Sequence, residues 1–490
     1  MESIDVISKN FKFLILLLNV FLLLIASIFN STLIVVNLFS FIYIFIIYKN
    51  FSCNNRKYLY YILLLYSLIT GGNSKYVFIF YFIYFICLFL ECKNNKIDII
   101  RNKKYYIFFS IFILYMILSI FIANNKIVAF DYMLRYMLML AIFIMMIIEN
   151  RNRKELNETF KFLLLFYIGM LFLGGLEVCG IKYGLSNIFM DKHMTSSYLT
   201  RIPEVFFYNP NNYSIVLDVG IAALFIRSLF VESRRERLFY YFLIFVSEIE
   251  LIFASSRIAW IVLYGTFILI FLLGFVTIKN DKKLGKKSII NSMVAFMLSF
   301  VLFFCLALLP SMAPYYKKFA DSIIINNVRE AVLPDGYVNK IKIEEDHNID
   351  AKIKIGGKGS ENERVTLIKN VIDGVIVEKN YLGFGVGNIG VYIKNKANTY
   401  GIINVHSFWF EFLGDFGIPM FIYLIIIYCI MLLDTFKLYW NKQGRLKQYY
   451  MILLLLGIIM VPLAFSPSSV MTVSPFWIIL GMNFGIVSVK

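Results

Sequence analysis

The chain has 490 residues, of which 60% are hydrophobic and 18% aromatic, and its mean hydropathy is +0.74. Soluble domains are usually about 45–50% apolar, so this composition excludes an ordinary soluble protein. The net charge is +17, but the cations are scattered between apolar runs and form no continuous basic face. This distribution argues against nucleic-acid binding.

Fourteen apolar runs in the sequence are candidates to cross a bilayer as helices, which takes roughly 20 apolar residues each. They lie near residues 12–28, 32–48, 58–70, 76–91, 106–123, 132–148, 161–178, 212–230, 239–255, 258–278, 289–309, 407–433, 449–466 and 474–488. The third run is short and is the least certain to span. The pattern predicts an all-α integral membrane protein with about 12–14 transmembrane helices.

The loops between these runs alternate between basic and nearly cation-free. Because basic loops stay in the cytoplasm, both termini are predicted to be cytoplasmic and residues 311–405 to form one large extracytoplasmic loop. Four regions follow from this topology. They are N-terminal transmembrane helices at 1–160, a transmembrane core with outer arginine loops at 161–310, the large loop at 311–405, and C-terminal transmembrane helices at 406–490.

The segment before the eighth predicted span contains Arg201 and ends in Asn209-Pro210-Asn211. Asn-Pro favours a turn, and we expect Asn211 to cap the following helix. An ordinary connecting loop would have the same composition, so this segment alone does not define a site.

Ser255-Ser256-Arg257 joins two apolar runs, so the turn holds an arginine at the depth of the membrane surface. An arginine there is a candidate for function, although it can also extend to lipid head groups. The planar guanidinium suits phosphate, because it makes two parallel charge-assisted hydrogen bonds. Arg257 is therefore a candidate phosphate ligand.

Within the large loop, apolar residues recur at helical spacing from Glu361 to Lys379 and are punctuated by charges such as Arg364. This pattern predicts an amphipathic helix that lies on the membrane or roofs a cavity. Gly385 to Gly390 then spells GxGxxG, but no βαβ pattern surrounds it, which argues against dinucleotide binding. We expect these glycines to permit a sharp turn or a close backbone approach to a ligand.

His406 stands where the chain re-enters the apolar phase, and Glu411 and Asp415 follow on one side of the next predicted helix. A lone histidine is more often structural, but these carboxylates and the outer arginines favour catalysis here. The other two histidines, His193 and His347, have no such context. The six cysteines show no metal-ligand spacing and none lies in the large loop, so we expect neither a metal site nor a disulfide framework there.

In their order along the chain, these motifs resemble the O-antigen ligase/polymerase superfamily of bacterial envelope enzymes, over about residues 160–435. The resemblance rests on Phe207-Tyr208-Asn209-Pro210-Asn211, Ser255-Ser256-Arg257-Ile258-Ala259-Trp260, Glu363-Arg364, Leu382-Gly383-Phe384-Gly385-Val386-Gly387, His406, Glu411 and Gly414-x-x-Gly417. One departure is His406-Ser407, where the family usually has His-Asn.

The resemblance implies a metal-independent glycosyltransferase of the bacterial cytoplasmic membrane that uses no cofactor. It would move a glycan from undecaprenyl diphosphate to a hydroxyl of a glycan or lipid acceptor. Arg257 and Arg201 would bind the diphosphate, and His406 would activate the acceptor. The supporting residues would be Asn209, Asn211, Ser256, Arg364, Glu411 and Asp415. Direct attack opposite the leaving group predicts inversion at the anomeric carbon.

Polymerase and ligase differ only in the acceptor, and the sequence does not separate them. A non-catalytic polysaccharide exporter or flippase is the alternative, which predicts charges along a through-path and a symmetric repeat. A sensor with an external ligand-binding loop is less favoured, because the chain shows no cytoplasmic signalling domain.

Overall fold

The computed structural model describes residues 2–29, 34–50, 54–70, 77–93, 103–181, 201–207, 209–312, 315–316, 355–357, 360–441, 446–465 and 474–487. No β-strand occurs in these ranges. His193, His347 and most of the first half of the predicted large loop lie outside the described residues.

Each of the fourteen predicted spans corresponds to a helix, and the described part of the large loop adds α12 and α13. The helices are α1 (Glu2–Phe29), α2 (Ile34–Asn50), α3 (Asn55–Thr70), α4 (Val77–Lys93), α5 (Lys103–Ile122), α6 (Lys126–Glu149), α7 (Arg153–Val178), α8 (Pro210–Phe230), α9 (Arg234–Ala254), α10 (Arg257–Ile278), α11 (Lys282–Ala307), α12 (Ser360–Ile372), α13 (Ile389–Lys394), α14 (Phe408–Asn441), α15 (Leu446–Leu463) and α16 (Ser474–Val487).

By length and composition, eight of the described helices can cross a membrane, namely α5 to α8, α10, α11, α14 and α15. Three shorter apolar stretches lie in α1, α2 and α16. The all-α integral membrane prediction is confirmed. Fewer helices meet this criterion than the 12–14 predicted, because the others are shorter or, like α9 with Glu248 and Glu250, more charged.

Local sequence sets where several helices begin. The side chains of Asn152, Ser233 and Asp281 accept hydrogen bonds from backbone N–H groups in the first turns of α7, α9 and α11. A helix start leaves such groups without intrahelical partners, so these caps stabilise the three helices at one end of the bundle.

At the same end, Arg56 of α3 is buried and pairs with Glu149 of α6 and with Glu91 of α4, the latter at 2.8 Å. Tyr84 also donates to Glu149, at 2.8 Å. A charge removed from water needs such partners, because an unpaired buried ion costs several kcal/mol. The pairing ties α3, α4 and α6 together.

The described part of the large loop has a small apolar core of its own, centred on Leu367, Val371 and Val375 of α12 and its extension. The amphipathic helix predicted at 361–379 is thus present as α12 and a following π-helical turn, Asp373–Val377. Its apolar face packs on the loop core and on Leu413 of α14. The loop therefore roofs the N-terminal end of α14.

Candidate active site at the loop end of the helix bundle

The start of α14 is fixed to the end of α15 by two hydrogen bonds. Phe408 N donates to Ala464 O at 3.0 Å, and the Trp409 indole donates to Val461 O at 3.0 Å. On the other side, Ser255 Oγ in the α9–α10 turn donates to Tyr315 O at 2.8 Å. The outer turns that the sequence singled out thus meet the large loop at one end of the bundle.

Helix α14 is interrupted about two and a half turns after its start. The break is at Gly417, whose φ of 71° is left-handed. Pro419 follows the break. The N–H of Ile418 donates to Tyr381 O of the loop at 2.8 Å. A break at this depth needs an outside hydrogen-bond partner, and the glycine-rich loop supplies it.

That loop lies directly on the broken helix. Phe384 N donates to Gly414 O at 2.8 Å, and Gly385 N donates to Asp415 O at 3.0 Å. Gly383 has a φ of 85°, and a Cβ there would lie 2.5 Å from Asp415 O. The left-handed glycines form the sharp turn that was one of the two expectations, and at these contacts their backbone approaches the protein's own helix α14.

Asp415 is completely buried, and its carboxylate holds the loop in place. Oδ2 accepts from Gly387 N at 2.8 Å, and Oδ1 accepts from Ile389 N at 3.0 Å. These N–H groups lead into α13, so the carboxylate occupies an anion position at a helix start. Asp415 binds the loop backbone and thereby fixes the segment that ends in His406.

The turn between α5 and α6 contributes to this end of the bundle in a way that sequence reasoning missed. The Asn388 side chain pairs with the Asn125 backbone at 2.8 and 3.2 Å, and Ser119 Oγ accepts from Val386 N at 3.2 Å. Tyr115 donates to Leu382 O at 3.0 Å. The only sequence signal was the glycine spacing, which predicts close packing but names no partner.

His406 has a left-handed backbone, with a φ of 56°. Such a conformation is uncommon outside glycine and is retained where the surroundings impose it, often at functional sites. Its ring is half-buried, and Nδ1 has no hydrogen-bond partner among the residues that the structure describes. Burial, with a smaller effect of the Arg364 charge, lowers the pKa of His406 to about 4. The imidazole is therefore neutral at physiological pH.

Glu411 lies on the same side of α14 as Asp415 and is also buried. Both carboxylates lie within electrostatic reach of Tyr132 and Tyr136 of α6. Tyr132 also packs against Gly387, since a Cβ at that glycine would collide with its ring. The structure thus places Glu411 and Asp415 near the same tyrosines of α6, and it places Arg364 within electrostatic reach of His406.

The Ser-Ser-Arg turn has the tight geometry that the sequence predicts. Helix α9 ends at Ala254, Ser255 adopts a left-handed φ of 52°, and Ser256 precedes Arg257, the first residue of α10. Ser255 and Ser256 are buried, whereas Arg257 is half-buried. The guanidinium is thus carried at a helix start, at the same end of the bundle as His406.

The loop with Arg201 is held to α7 by Glu177, whose Oε2 accepts from Glu204 N at 2.6 Å and Val205 N at 3.0 Å. Arg201 itself is exposed. The expectation that Asn211 caps α8 is wrong. Asn209 is the cap, and its Oδ1 accepts from Asn211 N at 2.8 Å because Pro210 takes the first helical position.

Residues 240–425 match the O-antigen ligase family. This match, over less than half of the chain, supports the predicted resemblance to the O-antigen ligase/polymerase superfamily. The matched region runs from α9 through the break in α14, so it includes Arg257, Arg364, the glycine loop, His406 and Asp415. Arg201, Asn209 and Asn211 precede it. No curated protein shows a significant match to the chain.

The match supports a role in polysaccharide assembly for this multi-pass membrane protein. Among the residues that the structure describes, no group of three or more His, Cys, Asp or Glu side chains is arranged to hold a metal ion.

We expect Asp415→Asn to destabilise the protein by roughly 2–4 kcal/mol, since the amide accepts backbone N–H bonds with one atom instead of two and carries no charge. Thermal unfolding of the purified protein in detergent measures this. Asp373→Asn, which breaks only the partly exposed pair with Lys369, serves as the control and is expected to change stability by less than about 1 kcal/mol. Equal melting temperatures for Asp415→Asn and wild type would contradict the role of Asp415 in holding the glycine loop.

Proposed function

We propose that the protein transfers a glycan from undecaprenyl diphosphate to an acceptor hydroxyl at the outer face of the cytoplasmic membrane. The proposal rests mainly on the position and protonation state of His406. Its neutral imidazole stands at the start of α14 beside Arg364, within the region that matches the O-antigen ligase family. The proposal also includes inversion at the anomeric carbon without a metal, the undecaprenyl carrier, and the roles given below to individual residues.

On the donor side, Arg257 and Arg201 bind the diphosphate, with Arg364 as a further cation. A sugar linked to diphosphate already has a good leaving group, so catalysis requires that the departing negative charge be stabilised. Fixed guanidinium groups at a membrane surface do this without a metal, because charge-assisted hydrogen bonds strengthen as the charge develops. Ser256, Asn209 and Asn211 support this side by shaping the turns that carry the arginines.

On the acceptor side, His406 removes the proton from the attacking hydroxyl. A neutral imidazole has a free lone pair for this step, and positioned general bases contribute about 10²–10⁴-fold in rate. A diphosphate bound beside the ring would raise its pKa above that of the free protein, because negative charge favours the imidazolium. Substrate binding thus strengthens the base where it is needed. Attack from the face opposite the diphosphate inverts the anomeric centre.

The orientation and the division of the chain belong to the same proposal. The helix ends rich in Lys and Arg face the cytoplasm, with the termini, so residues 311–405 lie outside. Residues 1–160 and 406–490 then flank the core of residues 161–310. Asp415 and Glu411 position the start of α14 and the glycine loop and do not contact the reacting atoms.

We expect His406→Asn to reduce transfer about 10²-fold or more, because asparagine tolerates a left-handed backbone but is not a base at neutral pH. Purified protein in liposomes is given a lipid-linked donor with labelled glycan and an acceptor, and donor consumption is measured. Lys379→Asn is the matched control, since Lys379 is also left-handed, with a φ of 62°, but is exposed.

In the same assay, Arg257→Lys is expected to raise the donor KM, since lysine keeps the charge but loses the planar fork.

The products of this assay also separate the two reactions. A ladder of products indicates polymerisation, and a single transfer indicates ligation. Normal donor consumption by His406→Asn would overturn the catalytic role. Movement of unconsumed glycan across the bilayer would favour the exporter instead.

We expect kcat/KM to fall on the acid side near pH 4 rather than near the ordinary histidine value of 6.5, because the folded protein holds the pKa of His406 low. The neutral, active imidazole is present above the folded pKa and is lost as the pH falls through it. Arg364→Gln should move the acid limb of the pH profile to higher pH, because the Arg364 charge lowers the pKa of His406. Lys369→Gln on the same helix should leave the acid limb unchanged. A wild-type midpoint near 6.5 would contradict the assignment.

Cys179, exposed at the end of α7, provides a test of orientation. With the other five cysteines replaced by serine, a membrane-impermeant maleimide should label Cys179 in intact cells. Arg234→Cys in a background without Cys179 should be labelled only after lysis, because α9 begins at the opposite end of the bundle. The reverse pattern would place the large loop in the cytoplasm.

A further inference from the structure

A cavity of about 120 Å³ lies between α7 and α8 and has an almost entirely apolar lining. Leu164 and Tyr167 of α7 face Val219 and Ala223 of α8 across it, and α15 and α16 close its back. It extends along α8 from Val216 to Arg227, a length of about 16 Å at the helical rise of 1.5 Å per residue. This length and apolar lining suit a single lipid chain.

Arg227 stands at the end of this cavity that faces the start of α7 and the end of α8, the side with the basic loops. Its Nε donates to Tyr240 OH at 2.9 Å, and the Tyr449 hydroxyl lies within electrostatic reach of it. These hydroxyls are themselves engaged, with Glu236 and with Asn157. Within the described part of the chain, no carboxylate forms an ion pair with Arg227.

An arginine at membrane depth whose direct partners are neutral hydroxyls retains most of its positive charge. A half-buried guanidinium in the last turn of a helix can reach head groups at the membrane surface. Basic pockets between transmembrane helices on the cytoplasmic side bind anionic head groups. A phosphate beside Arg227 would compensate the charge through charge-assisted hydrogen bonds.

We infer that the α7–α8 cavity binds an anionic phospholipid, with one acyl chain in the cavity and the phosphate on Arg227. The Tyr240 and Tyr449 hydroxyls are engaged with Glu236 and Asn157, so the guanidinium of Arg227 is the group that would bind the phosphate. The diphosphate of the proposed donor belongs at the opposite end, with His406. The lipid site is thus separate from the proposed transfer site and does not depend on it.

A lipid in this cavity would also affect how α7 packs against α8. Tyr167, which lines the cavity, bonds to Ser247 of α9 at 2.6 Å and to Leu217 O of α8 at 3.2 Å. Helix α7 also carries Glu177, which holds the Arg201 loop at the other end. An acyl chain in the cavity would fill the space between α7 and α8 and so support their packing.

The test is native mass spectrometry of delipidated, detergent-purified protein mixed with phosphatidylglycerol or phosphatidylcholine of identical chains. We expect wild type to prefer phosphatidylglycerol on the order of tenfold, as charge-assisted bonds of this type provide. Arg227→Gln should remove the preference, and Val219→Phe should weaken binding of both lipids by filling the cavity.

Two matched controls accompany these variants. Arg234→Gln removes an exposed arginine at the same end, and Ile268→Phe enlarges an exposed apolar side chain on α10. Both should retain the wild-type preference. If Val219→Phe does not fold, Arg227→Gln alone decides the question.

Three results would overturn the inference. The first is equal preference in wild type and Arg227→Gln. The second is competition by water-soluble glycerol phosphate as effective as by the lipid, which would mean that no chain enters the cavity. The third is displacement of phosphatidylglycerol by undecaprenyl phosphate at equal concentration, which would assign the cavity to the carrier.

Discussion

The buried carboxylate of Asp415 is the contact on which the loop end of the protein depends. A loop that lies against a broken helix at membrane depth has backbone N–H groups with no water to bond, and each one left unpaired costs several kcal/mol. Asp415 accepts from Gly387 and Ile389, while the loop carbonyl of Tyr381 accepts the N–H that the break at Gly417 releases. The glycine loop and the helix break are therefore stable only together.

This mutual satisfaction fixes the direction in which α14 begins and, with it, the segment of His406. The helix start is held on one side by α15 and on the other by the glycine loop, which in turn bonds to the α5–α6 turn. A group held by several independent contacts loses little freedom when substrate binds, which is how rigid frameworks lower barriers. The N-terminal helices thus contribute to the geometry of the candidate site although they lie outside the matched family region.

The two ends of the bundle differ in their electrostatics. At the loop end, burial and the charge of Arg364 keep His406 neutral, so a base stands within reach of a cation. At the other end, Arg227 retains its charge among tyrosine hydroxyls. Both proposals place an anionic ligand beside a fixed positive charge, since such a charge in a medium of low dielectric constant attracts phosphate strongly.

The sequence by itself determined that the chain is a helical membrane protein and where its helices lie, and it named candidates for a site, including Arg257 and His406. Apolar run length and local turn residues carry this information, because a helix satisfies its own backbone within one segment. Only the tertiary structure decided that the glycines approach α14, that Asp415 bonds backbone N–H groups and that Asn209 caps α8. Those partners are distant in the chain or depend on the exact path of a turn. Local pattern therefore could not specify them.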